Sequence, residues 1–248
     1  MTTIETSPQL YARTGGLLYL LIIVFGGFAE GFVMNSVIVA GDAAATAHNI
    51  MASPALWNLG VAGDLLVPVF AVAQAWIFYL LLRPVNKQLV LLSVFLVLVS
   101  LSVESVSKLF LLAVMPILAS ANHPGAFDPV QAQTLAHVSL VLHDIAFNIA
   151  LIFFGFSCLV DGYLIYKSGY LPKLVGLLMQ LAGLCYLIAC FAALLAPTFA
   201  NVITPAILIP ALIGETTFCL WLLIKGVNVV KWKERTSIQT MSDASASI

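Results

Sequence analysis

Ionisable side chains interrupt the long hydrophobic stretches of this sequence, and their positions are the first indication of chemistry. Lys108 follows an acid, Glu104, by four residues, the spacing at which an ion pair closes on a helix. An ionisable group inside a membrane-spanning helix costs about 2.5–3.5 kcal/mol on insertion scales, so it normally faces the protein interior and has a partner there. Five stretches each carry one acid, namely Glu30, Asp64, Glu104, Asp144 and Glu215. The sequence therefore predicts a carboxylate-rich pocket between helices.

One stretch, Leu135 to Tyr166, adds nitrogen ligands to these acids. At about 100° per residue, His137, Asp144 and Asn148 fall on one helix face, while His143 points elsewhere. Imidazole and carboxylate groups are ligands for zinc or iron. We expect no cofactor, and the alternative is a divalent metal held by His137, Asp144 and Glu30.

The excess of acids over bases limits how the pocket can be charged. Five carboxylates and one ammonium group cannot all be ionised in a dry interior, because like charges raise one another's pKa. Either several acids are protonated, or a cation or water occupies the pocket. The alternative is a purely structural role, in which these groups form hydrogen bonds between helices that each stabilise the protein by about 0.6 kcal/mol. The predicted ligand-binding or proton-relay residues are Glu30, Asp64, Glu104, Lys108, His137, Asp144, Asn148 and Glu215.

The composition shows which elements must position these residues. The chain has 248 residues, of which 62% are hydrophobic and 8% are charged, whereas about a quarter are charged in soluble proteins. Apolar runs longer than about 18 residues predict helices that span a membrane. We expect the lipid bilayer as the main partner and no nucleic-acid partner.

Six such runs predict an all-α, polytopic membrane protein with six transmembrane helices in one bundle. A short N-terminal segment (1–14) precedes the transmembrane domain (15–230), and a flexible cytoplasmic tail (231–248) follows it. The predicted helices are Gly15 to Val39, Ala55 to Leu82, Gln88 to Leu118, Leu135 to Tyr166, Leu171 to Leu195 and Thr204 to Val229.

The distribution of basic residues predicts the orientation of these helices. Lysine and arginine are enriched in cytoplasmic loops. With six spans, all of them except Lys108 fall on the side that holds both termini, so both termini are predicted to be cytoplasmic. Counting inward from the opposite side, at 1.5 Å per residue, places the five acids at one level in the outer half of the bilayer.

Glycine and proline residues accompany the acids. Gly27 and Gly31 flank Glu30 at the spacing of a surface for close helix approach. Pro68 follows Asp64 by four residues, so its ring denies a hydrogen bond to the Asp64 carbonyl. Such irregular backbone within a membrane is tolerated where it lines a cavity, which agrees with a polar pocket.

Two stretches resemble an uncharacterised family of bacterial integral membrane proteins that is known only as a domain of unknown function. One is ARTGGLLYL at Ala12 to Leu20. The other is LPKLVGLL at Leu171 to Leu178, which continues to AGLCYL at Ala182 to Leu187. The resemblance implies a six-helix, multi-pass protein of the bacterial cytoplasmic (inner) membrane. It implies no substrate, cofactor or catalytic residue.

Three functions fit these observations, and the sequence leaves open whether the protein is an enzyme. The first is a protein that binds or translocates a small molecule, cation or proton. The second is an intramembrane enzyme that acts on a lipid or isoprenoid substrate by acid-base or metal-assisted chemistry. The third is an accessory subunit whose buried charges contact another membrane protein.

Overall fold

The computed structural model describes residues 7–121, 127–204 and 206–246. It is 89% helical, and the described residues form no strand. The helices are α1 (Pro8–Gly26), which continues into a π-helical segment (Gly27–Met34) and α2 (Asn35–Val37), then α3 (Ala43–Ala52), α4 (Pro54–Leu82), α5 (Lys87–Ser120), α6 (Pro129–Ser168), α7 (Lys173–Leu195), α8 (Pro197–Ile203), α9 (Leu208–Ile224) and α10 (Val229–Ala246). The all-α prediction is confirmed.

The helices are long and apolar enough for a multi-pass membrane protein. Five spans meet this condition in the described residues: 8–37, α4, α5, α6 and α7. A sixth forms if α8 and α9, bent by 59°, are one broken span. The first span begins at Pro8, so part of the predicted N-terminal segment 1–14 belongs to a transmembrane helix.

Three helices, α3, α8 and α10, lie where the sequence predicted only loops or a tail. α3 forms in the loop that follows the first span, where the Asp42 side chain accepts a hydrogen bond from the backbone N–H of Ala45 as an N-cap. α10 covers residues 231–246 of the predicted tail, and residues 247–248 lie outside the described residues. Trp232 in its first turn is buried and donates an indole hydrogen bond to the Leu81 carbonyl at 3.2 Å.

The helices divide into two compact units. The first comprises the described residues within Met1–Leu20, Ala71–Ser100 and Leu151–Ile248, and the second comprises Leu21–Phe70 and Leu101–Ala150.

The first unit packs through small residues, which let helix backbones approach closely in a membrane protein. A Cβ atom added to Gly155 would lie 3.1 Å from the Gly183 carbonyl oxygen, and one added to Gly162 would lie 2.7 Å from the Gly176 carbonyl oxygen. α6 and α7 therefore meet backbone to backbone. The loop between them is anchored by Tyr170, whose hydroxyl donates to the Leu81 carbonyl at 2.6 Å, and burial raises the pKa of Tyr170.

The second unit has an apolar core beside the polar residues described below. A Cβ added to Gly60 of α4 would lie 2.7 Å from Val33, and one added to Gly63 would lie 3.3 Å from Phe25. The α4 glycines therefore contact the first span. The predicted role of Gly27 and Gly31 is wrong, because nothing lies within 4 Å of a Cβ at either position. The core comprises Met34, Val37, Ala47, Ile50, Trp57, Val61, Leu111, Val114, Leu118, Ala136 and Leu140.

Candidate functional site

Glu30 lies in the π-helical segment of the second unit. Glycine costs an α-helix about 0.5–1 kcal/mol relative to alanine, so the helix is easiest to widen between Gly27 and Gly31. π-Helical turns occur mostly as single bulges and often mark functional sites. The Glu30 side chain is 28% exposed, which makes it the most accessible member of the group of residues described next.

Asp64 is held on α4 directly after Gly63, whose missing side chain allows contact with Phe25 of the first span. α4 continues through Pro68, which has no N–H to donate to the Asp64 carbonyl. The Asp64 residue is 1% exposed. The glycine therefore sets the packing distance, and the acid that follows it is enclosed.

Lys108 of α5 is fully buried and is the centre of an ion cluster. Its Nζ atom lies 2.6 Å from Asp64 Oδ2, 3.5 Å from Glu30 Oε1 and 3.7 Å from Glu104 Oε1. It also lies 4.7 Å from the centre of the Phe147 ring, where a cation–π interaction adds to the attraction. Three carboxylates from three spans thus surround one ammonium group.

His143 of α6 completes the cluster and places a proton in it. Its Nδ1 lies 3.2 Å from the Ser107 carbonyl oxygen, which can only accept, so Nδ1 carries a hydrogen and donates it. Its Nε2 lies 3.3 Å from Glu30 Oε1. A neutral ring with hydrogen on Nδ1 presents a lone pair at Nε2, so a bond to the carboxylate requires a proton on either Nε2 or Glu30. The Glu30–His143 contact therefore needs one proton to form a hydrogen bond.

The polar atoms of the cluster face one another. Four of the seven buried side-chain atoms in the described residues that lack a hydrogen bond of good geometry are Glu30 Oε1, Asp64 Oδ2, Lys108 Nζ and His143 Nε2, and all four make the ion pairs above. Buried polar atoms in folded proteins are nearly always partnered, so these four atoms depend on the contacts within the cluster.

Among the described residues, one group of side chains is close enough to hold a metal ion, and it is part of this cluster. Glu30, Asp64 and His143 each offer one ligand atom, and these atoms lie within 4.8 Å of one another. Of the predicted metal ligands, only Glu30 belongs to this group. Lys108 Nζ approaches two of the three ligands within 3.5 Å, so a bound metal would lie next to an ammonium charge.

The three polar residues predicted on α6 lie beside the cluster, with no described ion pair to it. Asp144 is exposed, although it is near enough to act electrostatically on His143, Glu30 and His137. His137 is half-buried. Asn148 is also half-buried, and its amide donates to the Asp144 backbone carbonyl at 2.9 Å.

His143 lies on a different face of α6 from His137, Asp144 and Asn148, as the sequence indicated, but the buried face is the one that carries His143. Small residues are buried on this face before and after His143. Ala132 lies eleven residues before it, Ala136 seven and Ser139 four, and Ala150 lies seven residues after it. Small residues mark helix interfaces in membranes. This stripe of small side chains was the signal that could have identified His143.

Glu215 lies in the first unit, on α9, and is the one predicted acid outside the second unit. Its carboxylate lies beside the hydroxyl groups of Tyr19 and Tyr186, which are close enough to act on it. The structure thus brings together Glu30, Asp64, Glu104 and Lys108 of the predicted site, adds His143 and Phe147, and gives Glu215 different neighbours.

Comparison with known proteins identifies a family and no function. A search of curated proteins found no match. A search of solved structures also found none. Residues 14–226 match the model of one protein family, which is nearly the whole transmembrane region and confirms the resemblance noted in the sequence. The chain therefore belongs to the family described as Domain of unknown function (DUF4386).

Proposed function

We propose that this membrane protein binds and releases a proton at the Glu30–His143 pair, as part of a cation- or proton-translocating function. The observation that carries the proposal is the donor geometry of His143. Because Nδ1 is committed to the Ser107 carbonyl, the 3.3 Å contact between Nε2 and Glu30 Oε1 requires a proton that either atom can hold. A proton that moves over a few ångströms between two bases is the elementary step of a relay.

The charges around the pair support proton or cation uptake. Glu30, Asp64 and Glu104 carry three negative charges when ionised, and Lys108 with a protonated His143 carries two positive ones. A negative charge remains in a largely buried cluster, where an uncompensated charge is expensive. Taking up one more proton, or one monovalent cation, would make the cluster neutral.

The fixed positive charge of the cluster is the Lys108 ammonium group rather than a metal ion. A divalent ion bound by Glu30, Asp64 and His143 would gain charge balance, but it would lie close to the Lys108 ammonium, which already pairs with Asp64 at 2.6 Å. Lys108 thus supplies one positive charge, and the Glu30–His143 pair responds to the proton concentration. The partly exposed Glu30 is the member through which protons or a small cationic or neutral ligand would enter.

Proton uptake can be measured with purified protein in unbuffered detergent solution after a small acid pulse, using a pH-sensitive dye. We expect Glu30→Gln and His143→Gln each to take up one proton fewer per chain than the wild-type protein does. Glu234→Gln is the matched control, because Glu234 is an exposed acid on α10 and its loss leaves the cluster intact. Full uptake in both cluster variants would refute the proposal.

Translocation requires a second measurement, in vesicles that contain a pH-sensitive dye. With a membrane potential imposed, the wild-type protein is expected to acidify the vesicle lumen faster than empty vesicles do, and both cluster variants are expected to match empty vesicles. If wild-type vesicles are as proton-tight as empty ones while the uptake assay succeeds, the protein binds protons without moving them. We expect its cellular location to be the bacterial cytoplasmic membrane.

An accessory subunit is a second candidate, and Asp144 is the observation that favours it. Asp144 is exposed in a membrane span next to exposed Leu142 and Ile145, which makes it costly against lipid. A partner helix with a hydrogen-bond donor would remove that cost. All four natural cysteines are buried, so Asp144→Cys places one accessible thiol on this face. Crosslinking from that thiol to another membrane protein, but not from Leu10→Cys at the exposed start of α1, would support this candidate.

A further inference from the structure

Glu215 has a separate site in the first unit, built by three helices. Gly214 precedes it on α9, and a Cβ there would lie 2.6 Å from the Leu178 carbonyl oxygen, so α9 packs directly on the α7 backbone. Tyr19 of α1 packs edge-on against Phe218, with ring centres 6.2 Å apart. Aromatic packing therefore holds a hydroxyl group beside the Glu215 carboxylate.

The second hydroxyl group comes from α7. The Tyr186 hydroxyl lies near Glu215, and the Tyr186 ring is held edge-on against Phe154 with the ring centres 5.5 Å apart. Among the described residues, the other groups that act on these two tyrosines are acids, thiols and phenols: Cys158 and Asp161 of α6 act on Tyr19, and Cys190 acts on Tyr186.

One oxygen atom of the Glu215 carboxylate has no hydrogen-bond donor, although two hydroxyl groups lie nearby. Glu215 is 8% exposed, and its Oε1 atom has no hydrogen-bond partner. Every salt bridge within the described part of the chain involves Lys108 or His143, so Glu215 has none there. An ionised carboxylate that is buried without a cation is strongly unfavourable, so one positive charge must accompany it.

We propose that Glu215, with Tyr19 and Tyr186, forms a binding site for one small monovalent cation, either a proton or a sodium ion. One carboxylate charge calls for one positive charge. The ligands facing it are oxygen atoms, which suit hard cations rather than transition metals. In the described residues, the group of acids, cysteines and histidines close enough to hold a metal does not include Glu215.

Infrared spectroscopy of the full-length protein tests this site, with sodium chloride or choline chloride as the salt. If the occupant is a proton, the wild-type protein shows the C=O stretch of a neutral carboxylic acid near neutral pH in both salts, and Glu215→Gln abolishes it. If the occupant is sodium, a Glu215 carboxylate band shifts when choline replaces sodium. Tyr186→Phe shifts whichever band is present, and this variant keeps the test usable if Glu215→Gln does not fold.

The control is Glu234→Gln, an exposed acid on α10, which should change neither band. An ionised Glu215 whose spectrum responds neither to sodium nor to a pH step of two units would overturn the site. This result is independent of the Glu30–His143 proposal, because proton uptake at that pair is measured with Glu215 unchanged.

Discussion

Replacing Lys108 with methionine removes the central charge of the ion cluster while keeping a side chain of similar length. Asp64, Glu30 and Glu104 then lose a cation at 2.6, 3.5 and 3.7 Å from their oxygens. Removing one partner of a buried ion pair typically costs about 3–5 kcal/mol, because the other charge is left buried without compensation. We therefore expect Lys108→Met to raise the unfolding equilibrium constant by about two to three and a half orders of magnitude.

The measurement is reversible unfolding in mixed detergent micelles, arranged as a double-mutant cycle. Lys108→Met combined with Asp64→Asn should recover much of the lost stability, since the nearest uncompensated charge is then absent. The coupling energy with Asp64, at 2.6 Å, should exceed that with Glu104, at 3.7 Å. Lys87→Met is the matched control, because Lys87 is exposed on the same helix, and surface changes usually stay within about 0.5 kcal/mol.

Two results would refute this reasoning. One is a Lys108→Met protein as stable as the Lys87→Met control. The other is an additive cycle, in which the Lys108 and Asp64 changes show no coupling. Either would mean that the ammonium group and the carboxylates do not interact in the folded protein.

Three further predictions follow from the packing and the site. Gly60→Ala should cost about 1–3 kcal/mol, since its Cβ would meet Val33 at 2.7 Å, whereas Gly31→Ala has open space and should cost nothing; equal unfolding free energies for the two would contradict the contact. Burial raises the pKa of Tyr170. Stability should therefore fall as pH rises above the ordinary tyrosine value of about 10, where the unfolded chain ionises first, and Tyr170→Phe should reduce that fall in alkaline denaturation; an identical alkaline profile would argue against it. Elemental analysis of purified protein should find less than one divalent metal ion per chain, and chelator treatment should leave the melting temperature unchanged. One metal ion per chain that is present in the wild-type protein and absent from His143→Gln would show that a metal, and not Lys108, is the fixed cation.

The long apolar helices followed from the sequence because their physical cause is local. Long apolar runs must form helices in a bilayer, so composition and length alone predict the spans. Buried acids were also predictable, since the cost of exposing them to lipid requires enclosure, and Asp64, Glu104 and Lys108 are indeed buried. The 59° bend between α8 and α9 was not predicted, because the residues of α8 were expected to form a loop.

The grouping of the acids could not be obtained from helix counting alone. Glu215 was assigned to the same level as the other acids, but its partners depend on the contact between Gly214 and Leu178, which no local pattern reveals. The face of α6 was misjudged because three polar residues on one side suggested an interface. Small residues, such as Ala136 and Ser139, were the better guide and lead to His143.

The proton at His143 is the central claim, and nitrogen NMR of protein labelled with ¹⁵N-histidine observes it directly. The chain has four histidines, so His143→Gln assigns the signal. We predict that Nδ1 of His143 carries a hydrogen in the folded protein and that Glu30→Gln changes the signal of Nε2 but not that of Nδ1. A His143 whose only hydrogen is on Nε2, or an Nε2 signal unchanged by Glu30→Gln, would contradict the account.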